Sequence, residues 1–80
     1  MVLEKVIDFI STHFSIDEDE ISEETTFEEL GADEEDMDDL VLAVEGEFEI
    51  ELHEDEVLRL NEVADLIRVI ENAIRLTELE

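Results

Sequence analysis

Apolar residues recur with a helical period near both ends of the chain. The N-terminal set follows the i, i+3, i+4, i+7 spacing of one helix face and comprises Val2, Leu3, Val6, Ile7, Ile10 and Phe14. The C-terminal set has the same spacing and comprises Val63, Leu66, Ile67, Ile70 and Ile74. These patterns predict a first amphipathic helix of about 13 residues and a last long helix, with Asn61 as the N-cap of the latter.

A further helix is predicted in the middle of the chain, over about residues 33–48. Asp33 can accept a hydrogen bond from a free backbone N–H, and acidic residues follow in the first turn, where they interact favourably with the helix dipole. One face of this segment is apolar and comprises Met37, Leu40, Val41, Val44 and Phe48. That face is the predicted buried stripe.

The segments between the helices differ in character. Residues 15–33 show no steady period and are predicted to form a long loop, pinned by Ile16, Ile21, Phe27 and Leu30. Residues 49–53 alternate like a strand, but the chain offers no partner strand, so they are interpreted as loop, followed by a short helix around residues 55–59. The predicted fold is therefore all-α, a small four-helix bundle of three long helices and one short helix, forming a single domain over residues 1–80.

The composition is strongly acidic. The chain has 28 Asp and Glu residues and only 4 Lys and Arg residues, which gives a net charge of -24. Such a polyanion is repelled by nucleic acids and anionic membranes and attracted to basic protein surfaces. No apolar stretch reaches the roughly 20 residues of a membrane span, so we expect a cytoplasmic protein, monomeric because of self-repulsion. Diffuse binding of divalent cations is expected. A dedicated calcium-binding loop of the EF-hand type is not expected. In a twelve-residue loop that starts at Glu34, the sixth position is Asp39, whereas the turn of such a loop needs glycine there.

Three segments together resemble the acyl carrier protein family: Leu30-Gly31-Ala32-Asp33, residues 40–45 (LVLAVE) and residues 47–52 (EFEIEL). The resemblance runs from about residue 26 to residue 70. It implies a four-helix bundle of acyl-carrier-protein type with a long first loop, whose second helix is presented to enzymes. In that family the segment reads Leu-Gly-Ala-Asp-Ser-Leu-Asp, and the serine carries phosphopantetheine.

The serine position of the family is Glu34 in this chain. Glu35 and Asp38 likewise stand where the family has a leucine and a valine that contact partner enzymes, so that Leu42 alone remains apolar in that strip. Other hydroxyls, such as those of Ser11, Ser15, Ser22, Thr25 and Thr26, do not follow an aspartate at a helix start. We therefore expect phosphopantetheine to be absent, with no cofactor-binding residue and no specific metal ligand.

The main hypothesis is a carrier-like module that has lost carriage and binds proteins with basic docking surfaces, among them enzymes of acyl or polyketide metabolism. The expected recognition face comprises Glu34, Glu35, Asp38, Asp39, Leu42 and Glu45. The alternatives are a solvated charged face that binds nothing, a fatty-acid or polyketide carrier whose native serine is replaced here, and an acidic cation-buffering protein. No catalytic residue is predicted, because His13 and His53 have no nucleophile signature around them, and the protein is not expected to be an enzyme.

Overall fold

The fold is described from a computed structural model, which covers residues 2–79. Helix α1 spans Val2–Phe14, α2 spans Glu34–Phe48, α3 spans Glu54–Leu58 and α4 spans Val63–Glu78. Within the described residues there is no strand, only a single antiparallel bridge between Thr26 and Glu62. The predicted all-α bundle of three long helices and one short helix is confirmed, while Met1 and Glu80, the ends of the predicted domain, lie outside the described residues.

The core forms where α1, α2 and α4 meet, and it draws on each predicted apolar stripe. Its buried members are Val6, Ile10, Ile21, Phe27, Leu40, Val44, Leu52, Val63, Leu66, Ile67 and Ile70. All of them are apolar, and within residues 2–79 no polar side chain is buried. Each such aliphatic side chain contributes about 1.5–3 kcal/mol when it leaves water, so these residues carry most of the stability.

The long first loop is held to the bundle by side chains and by backbone. Ile21 and Phe27 are buried, as predicted, whereas Ile16 and Leu30 are half-buried at the edge of the core. The backbone bonds run to the junction before α4 and join Phe27 N–H to the Asn61 carbonyl (2.9 Å), Val63 N–H to the Thr25 carbonyl (2.9 Å) and Ala64 N–H to the Glu23 carbonyl (2.9 Å). The loop is therefore ordered by contacts that are distant in sequence.

The prediction of Asn61 as the N-cap of the last helix is wrong, because α4 begins at Val63 after Glu62. The Asn61 carbonyl accepts the N–H of Phe27 in the first loop, and this bond keeps Asn61 outside the helix. Asp65 Oδ2 instead accepts the backbone N–H of Glu62 (2.9 Å) and of Asn61 (3.0 Å). These bonds, led by the one from Glu62, hold the pKa of the Asp65 carboxyl below its ordinary value.

The short helix lies one residue earlier than predicted, over Glu54–Leu58. The carbonyl of His53 accepts the N–H groups of Glu56 (3.0 Å) and Val57 (3.1 Å), which starts the helix at Glu54. Residues 50–53 belong to neither a helix nor a strand, so the interpretation as loop is confirmed. Within residues 2–79, no helix is both long enough and apolar enough for a bilayer crossing.

Candidate functional site

Glu34 is the first residue of α2 and follows the capping residue directly. Asp33 Oδ1 accepts the N–H of Asp36 (2.9 Å), and Asp36 Oδ2 accepts the N–H of Asp33 (3.1 Å), which completes a reciprocal capping box. This arrangement fixes the helix start without using the side chain of Glu34. The Glu34 carboxylate is exposed to solvent at the mouth of a groove described below.

The outer side of α2 carries most of the predicted recognition residues. Glu35, Asp38 and Asp39 are exposed, and Leu42 is 66% exposed. They lie opposite the buried Leu40 and Val44 because a helix turns by 3.6 residues. Five of the six predicted residues therefore form an acidic surface that ends at one apolar side chain, and we call it the α2 face (Glu34, Glu35, Asp38, Asp39 and Leu42).

Glu45, the sixth predicted recognition residue, has an additional contact inside the protein. Its carboxylate Oε2 accepts the backbone N–H of Leu52 at 2.9 Å in a partly buried position. Its carbonyl accepts the N–H groups of Glu49 and Ile50, and Glu49 adopts a left-handed backbone at φ 56° that ends the helix. Glu45 thus holds the loop after α2, and the structure separates it from the freely exposed acids of the α2 face.

A hydrogen bond between α1 and α2 was missed by the sequence interpretation. His13 Nε2 lies 2.9 Å from Asp36 Oδ1, with both side chains partly shielded from solvent. Because an ionised carboxylate only accepts, the proton lies on Nε2. This bond, followed by the backbone bond from Asp33, holds the pKa of the Asp36 carboxyl below its ordinary value. The helical periods place His13 at the end of α1, but no local signal reports which acid it meets.

A groove of about 770 Å³ lies between the first loop, the start of α2 and α3, and we call it the α2–α3 groove. Its less exposed lining residues are apolar and form the floor: Phe27, Ala32, Met37, Val57 and Leu60. Its exposed acidic residues form the rim: Glu28, Asp33, Glu34, Asp38 and Glu54. No lining residue carries a positive charge. Glu34 and Asp38 belong both to this rim and to the α2 face.

Comparison with known proteins assigns the chain to a family. Residues 4–70 match the family model described as the phosphopantetheine attachment site. The chain is 41% identical over 71 residues to the acyl carrier protein of Clostridium acetobutylicum, a match that covers 88% of this chain and 92% of that protein. The chain belongs to the acyl carrier protein family.

Two further members of the acyl carrier protein family resemble the chain over most of its length. The acyl carrier protein of Lactococcus lactis subsp. cremoris is 38% identical over 71 residues, covering 89% of this chain and 94% of that protein. The crystal structure of an acyl carrier protein from Thermotoga maritima superposes with a TM-score of 0.78 at 32% identity, covering 96% of this chain and 88% of that one. The resemblance inferred from the sequence is therefore confirmed for family and fold.

The side chains present do not fit covalent attachment of the phosphopantetheine that gives the family model its description. Attachment requires a hydroxyl at the start of α2, where this chain has the carboxylate of Glu34. The hydroxyl residues lie elsewhere, in α1, α4 and the first loop: Ser11, Thr12, Ser15, Ser22, Thr25, Thr26 and Thr77. None of them follows a capping aspartate at the start of a helix.

No group of three or more His, Cys, Asp or Glu side chains in the described part of the chain converges as a metal site would. The acids that crowd the α2 face are spread along the helix surface.

Proposed function

We propose that this member of the acyl carrier protein family docks on enzymes through the α2 face without carrying phosphopantetheine. The proposal depends on one observation, the exposed carboxylate of Glu34 at the first position of α2. Asp33 and Asp36 form the capping box that starts this helix, and the Glu34 side chain takes no part in it. The fold that presents α2 is retained, while the atom that would accept the arm is replaced. The protein acts as a binding module and not as an enzyme.

The chemistry of attachment explains why one substitution has this effect. A hydroxyl that attacks the diphosphate of coenzyme A displaces the adenosine bisphosphate part and leaves a stable phosphodiester. A carboxylate in the same role would form an acyl phosphate, a mixed anhydride that water hydrolyses. Glu34 therefore gives no durable link to the arm, whatever enzyme binds α2.

The kind of partner follows from the charge and shape of the α2 face. Four exposed carboxylates lie on the N-terminal side of one exposed leucine, Leu42. This surface complements a basic patch with a small apolar group beside it, and charge complementarity of this kind accelerates association and orients the partner. Enzymes of acyl or polyketide metabolism that handle acyl carrier proteins are the expected partners, in the cytoplasm.

A second candidate is a carrier of fatty-acid or polyketide synthesis whose native serine is replaced in this chain. The matching family model, described as an attachment site, and the relatives named acyl carrier protein favour this alternative. This alternative requires that a serine hydroxyl at position 34 be sufficient for the attachment of phosphopantetheine. The same experiment therefore tests both candidates.

Modification is tested by incubating the wild type and Glu34→Ser with coenzyme A and a broad-specificity phosphopantetheinyl transferase, then measuring intact mass. We expect no change for the wild type, because no hydroxyl lies at the start of α2. A gain of one phosphopantetheine by Glu34→Ser would show that the transferase still recognises the α2 face. The Clostridium acetobutylicum acyl carrier protein is the positive control, and a gain by the wild type would contradict the proposal.

Docking is tested by adding the wild type as a competitor while the transferase modifies the Clostridium acetobutylicum protein. Inhibition is expected, and Glu35→Lys with Asp39→Lys should weaken it about tenfold or more, which corresponds to about 1.4 kcal/mol. The matched control is Glu71→Lys with Glu78→Lys, which makes the same change of net charge on exposed positions of α4. Equal effects of the two pairs would show that inhibition follows net charge alone.

A further inference from the structure

Resting on the proposed docking function, we propose that the α2–α3 groove receives an apolar side chain of the partner that is flanked by lysine or arginine. The groove adjoins the α2 face through Glu34 and Asp38, which belong to both. A partner that covers the outer side of α2 thus reaches the groove without a second binding event.

The floor of the groove selects for an apolar group. Phe27 is only 5% exposed, and Met37, Val57 and Leu60 are half-buried, so the deepest surface of the groove is hydrocarbon. Beside the floor, Leu58 also lines the groove and is 74% exposed. Each square ångström of such surface removed from water contributes about 25 cal/mol, so an inserted apolar side chain is stabilised by the floor and by Leu58 together.

The rim selects for positive charge next to that apolar group. Its five carboxylates have no cationic neighbour among the lining residues. An anionic amphiphile, such as a fatty acid, would place its head group against these carboxylates and be repelled. A lysine or arginine on either side of an apolar residue instead meets opposite charge at the rim while the apolar residue reaches the floor.

The groove is preformed, because its walls are joined by backbone hydrogen bonds. Phe27 N–H donates to the Asn61 carbonyl at 2.9 Å, which fixes the loop wall to the segment after α3. Ala32 N–H donates to the Phe27 carbonyl at 3.0 Å, which closes the same loop beside the start of α2. A preformed groove loses little conformational entropy on binding, which favours the insertion of a single side chain.

The probe for this proposal is the peptide acetyl-Arg-Leu-Trp-Leu-Arg-amide, titrated into the full chain. The protein contains no tryptophan or tyrosine, so the fluorescence of the peptide is seen without background. Two control peptides separate the contributions, one with both arginines replaced by glutamine and one with both leucines and the tryptophan replaced by serine, whose binding is followed by the amide shifts of the labelled protein. We expect each control to bind about tenfold more weakly than the parent, with the amide shifts of the labelled protein confined to the groove residues.

Either of two results would overturn the proposal. If the arginine peptide with serines binds as tightly as the parent, the acidic surface attracts cations without using the apolar floor. If the amide shifts spread along α1 or α4, the peptide binds outside the groove. Localised shifts together with weak binding of both control peptides support the proposal.

Exposed positions of the groove provide a variant that keeps the fold. Leu58→Ser with Glu54→Gln removes one apolar and one charged contact at solvent-facing positions, and we expect parent-peptide binding to weaken about tenfold. The matched control is Leu76→Ser with Glu51→Gln, at exposed positions outside the groove lining, where Leu76 is 58% exposed. Equal weakening by the two pairs would contradict the groove as the binding site.

The competition assay separates this proposal from the docking function beneath it. If Glu35→Lys with Asp39→Lys abolishes inhibition of the transferase and Leu58→Ser with Glu54→Gln leaves it unchanged, docking on α2 stands and the groove proposal fails. If both pairs weaken inhibition while the matched controls do not, both proposals are supported. If the wild type does not inhibit at all, the docking function fails, whatever the peptides do.

Discussion

The two glycines of the chain lie in opposite backbone environments. Gly31 has φ of 76°, in the left-handed region that favours glycine, and it closes the first loop before α2. Gly46 lies inside α2, where its flexibility weakens the helix. A Cβ built at either position meets no atom within 4 Å, so backbone conformation alone decides the effect of adding one.

Alanine substitution should therefore have opposite effects at these two residues. We expect Gly31→Ala to lower the free energy of unfolding by about 1–2 kcal/mol, because a left-handed backbone is strained for alanine. Gly46→Ala should raise it by about 0.8–1.0 kcal/mol. Urea unfolding followed by circular dichroism measures both, and changes of the same sign would show that the two positions do not differ as described.

Glu34 is the residue on which the proposed function depends. Its place at the serine position of the family is a prediction from the sequence, made because the preceding Leu-Gly-Ala-Asp segment sets the register of the family motif. The structure adds that the carboxylate is exposed at the rim of a groove. The residue type at position 34 can be taken directly from the sequence. Its neighbours across the groove, such as Glu54 and Leu58, lie about twenty residues further along the chain and are known only from the fold.

At the scale of elements, the start of α2 is held from two directions. Asp33 and Asp36 cap each other within the helix, and His13 reaches Asp36 from the end of α1. The capping signal is local and was predicted for Asp33. The contact with His13 joins residues 23 positions apart and depends on how α1 packs against α2.

Asp36→Asn should have an effect on stability that depends on pH. The depressed pKa of Asp36 means that its ionised contacts stabilise the fold above the unfolded value of about 3.9, and that this contribution is lost as the pH falls through the lower folded value. The difference in unfolding free energy between wild type and Asp36→Asn should therefore close as the pH falls below about 4. Urea unfolding across this range measures the difference.

Glu35→Gln is the control for the loss of charge at the start of α2. Glu35 lies in the same first turn but its side chain makes no hydrogen bond within residues 2–79. If the difference in unfolding free energy between the wild type and Asp36→Asn stays the same in acid, the ionised contacts of Asp36 with His13 and Asp33 contribute nothing to that difference.

The start of α4 shows how tertiary contacts shift the end of a predicted helix. Asn61 is a good capping residue by type, and local reasoning places it at the helix start. The Asn61 carbonyl accepts the N–H of Phe27 in the first loop, and the helix begins at Val63, one residue later than an N-cap at Asn61 would place it. Asp65 accepts the N–H groups of Asn61 and Glu62, just before the helix. Helix boundaries are the features most exposed to such competition.

The folding stability of the whole protein depends on two opposing contributions, the burial of a small apolar core and the self-repulsion of a net charge of -24. Among the described residues, Lys and Arg form only two ion pairs with the acids, namely Lys5–Glu47 and Asp65–Arg68. Most carboxylates therefore repel one another without compensation, and this repulsion favours the unfolded chain.

Added salt should consequently stabilise the protein. Raising NaCl from about 0.01 M to about 0.15 M shortens the Debye length from about 30 Å to about 8 Å, and we expect the melting temperature to rise by several degrees. Scanning calorimetry measures it, and a melting temperature that does not depend on salt would contradict the role given to self-repulsion.

Mg²⁺ at equal ionic strength serves as the comparison for that experiment. We expect a further rise without stoichiometric binding, because the acids of the described chain form no converging cluster. A titration that shows one tight site would favour the cation-buffering alternative instead.

The pattern of residues along the chain was enough to predict the helices, their buried stripes and the family, and it places Glu34 at the start of the second helix. Each of these depends on residues within one or two helical turns or on a motif of adjacent letters, so the local pattern carries the information. The bridge between Thr26 and Glu62, the pair of His13 with Asp36 and the walls of the α2–α3 groove follow only from the tertiary packing, because they join segments far apart in the chain. The bond from Leu52 to Glu45 spans only seven residues, but it depends on how the chain turns after α2, which the residue types do not report.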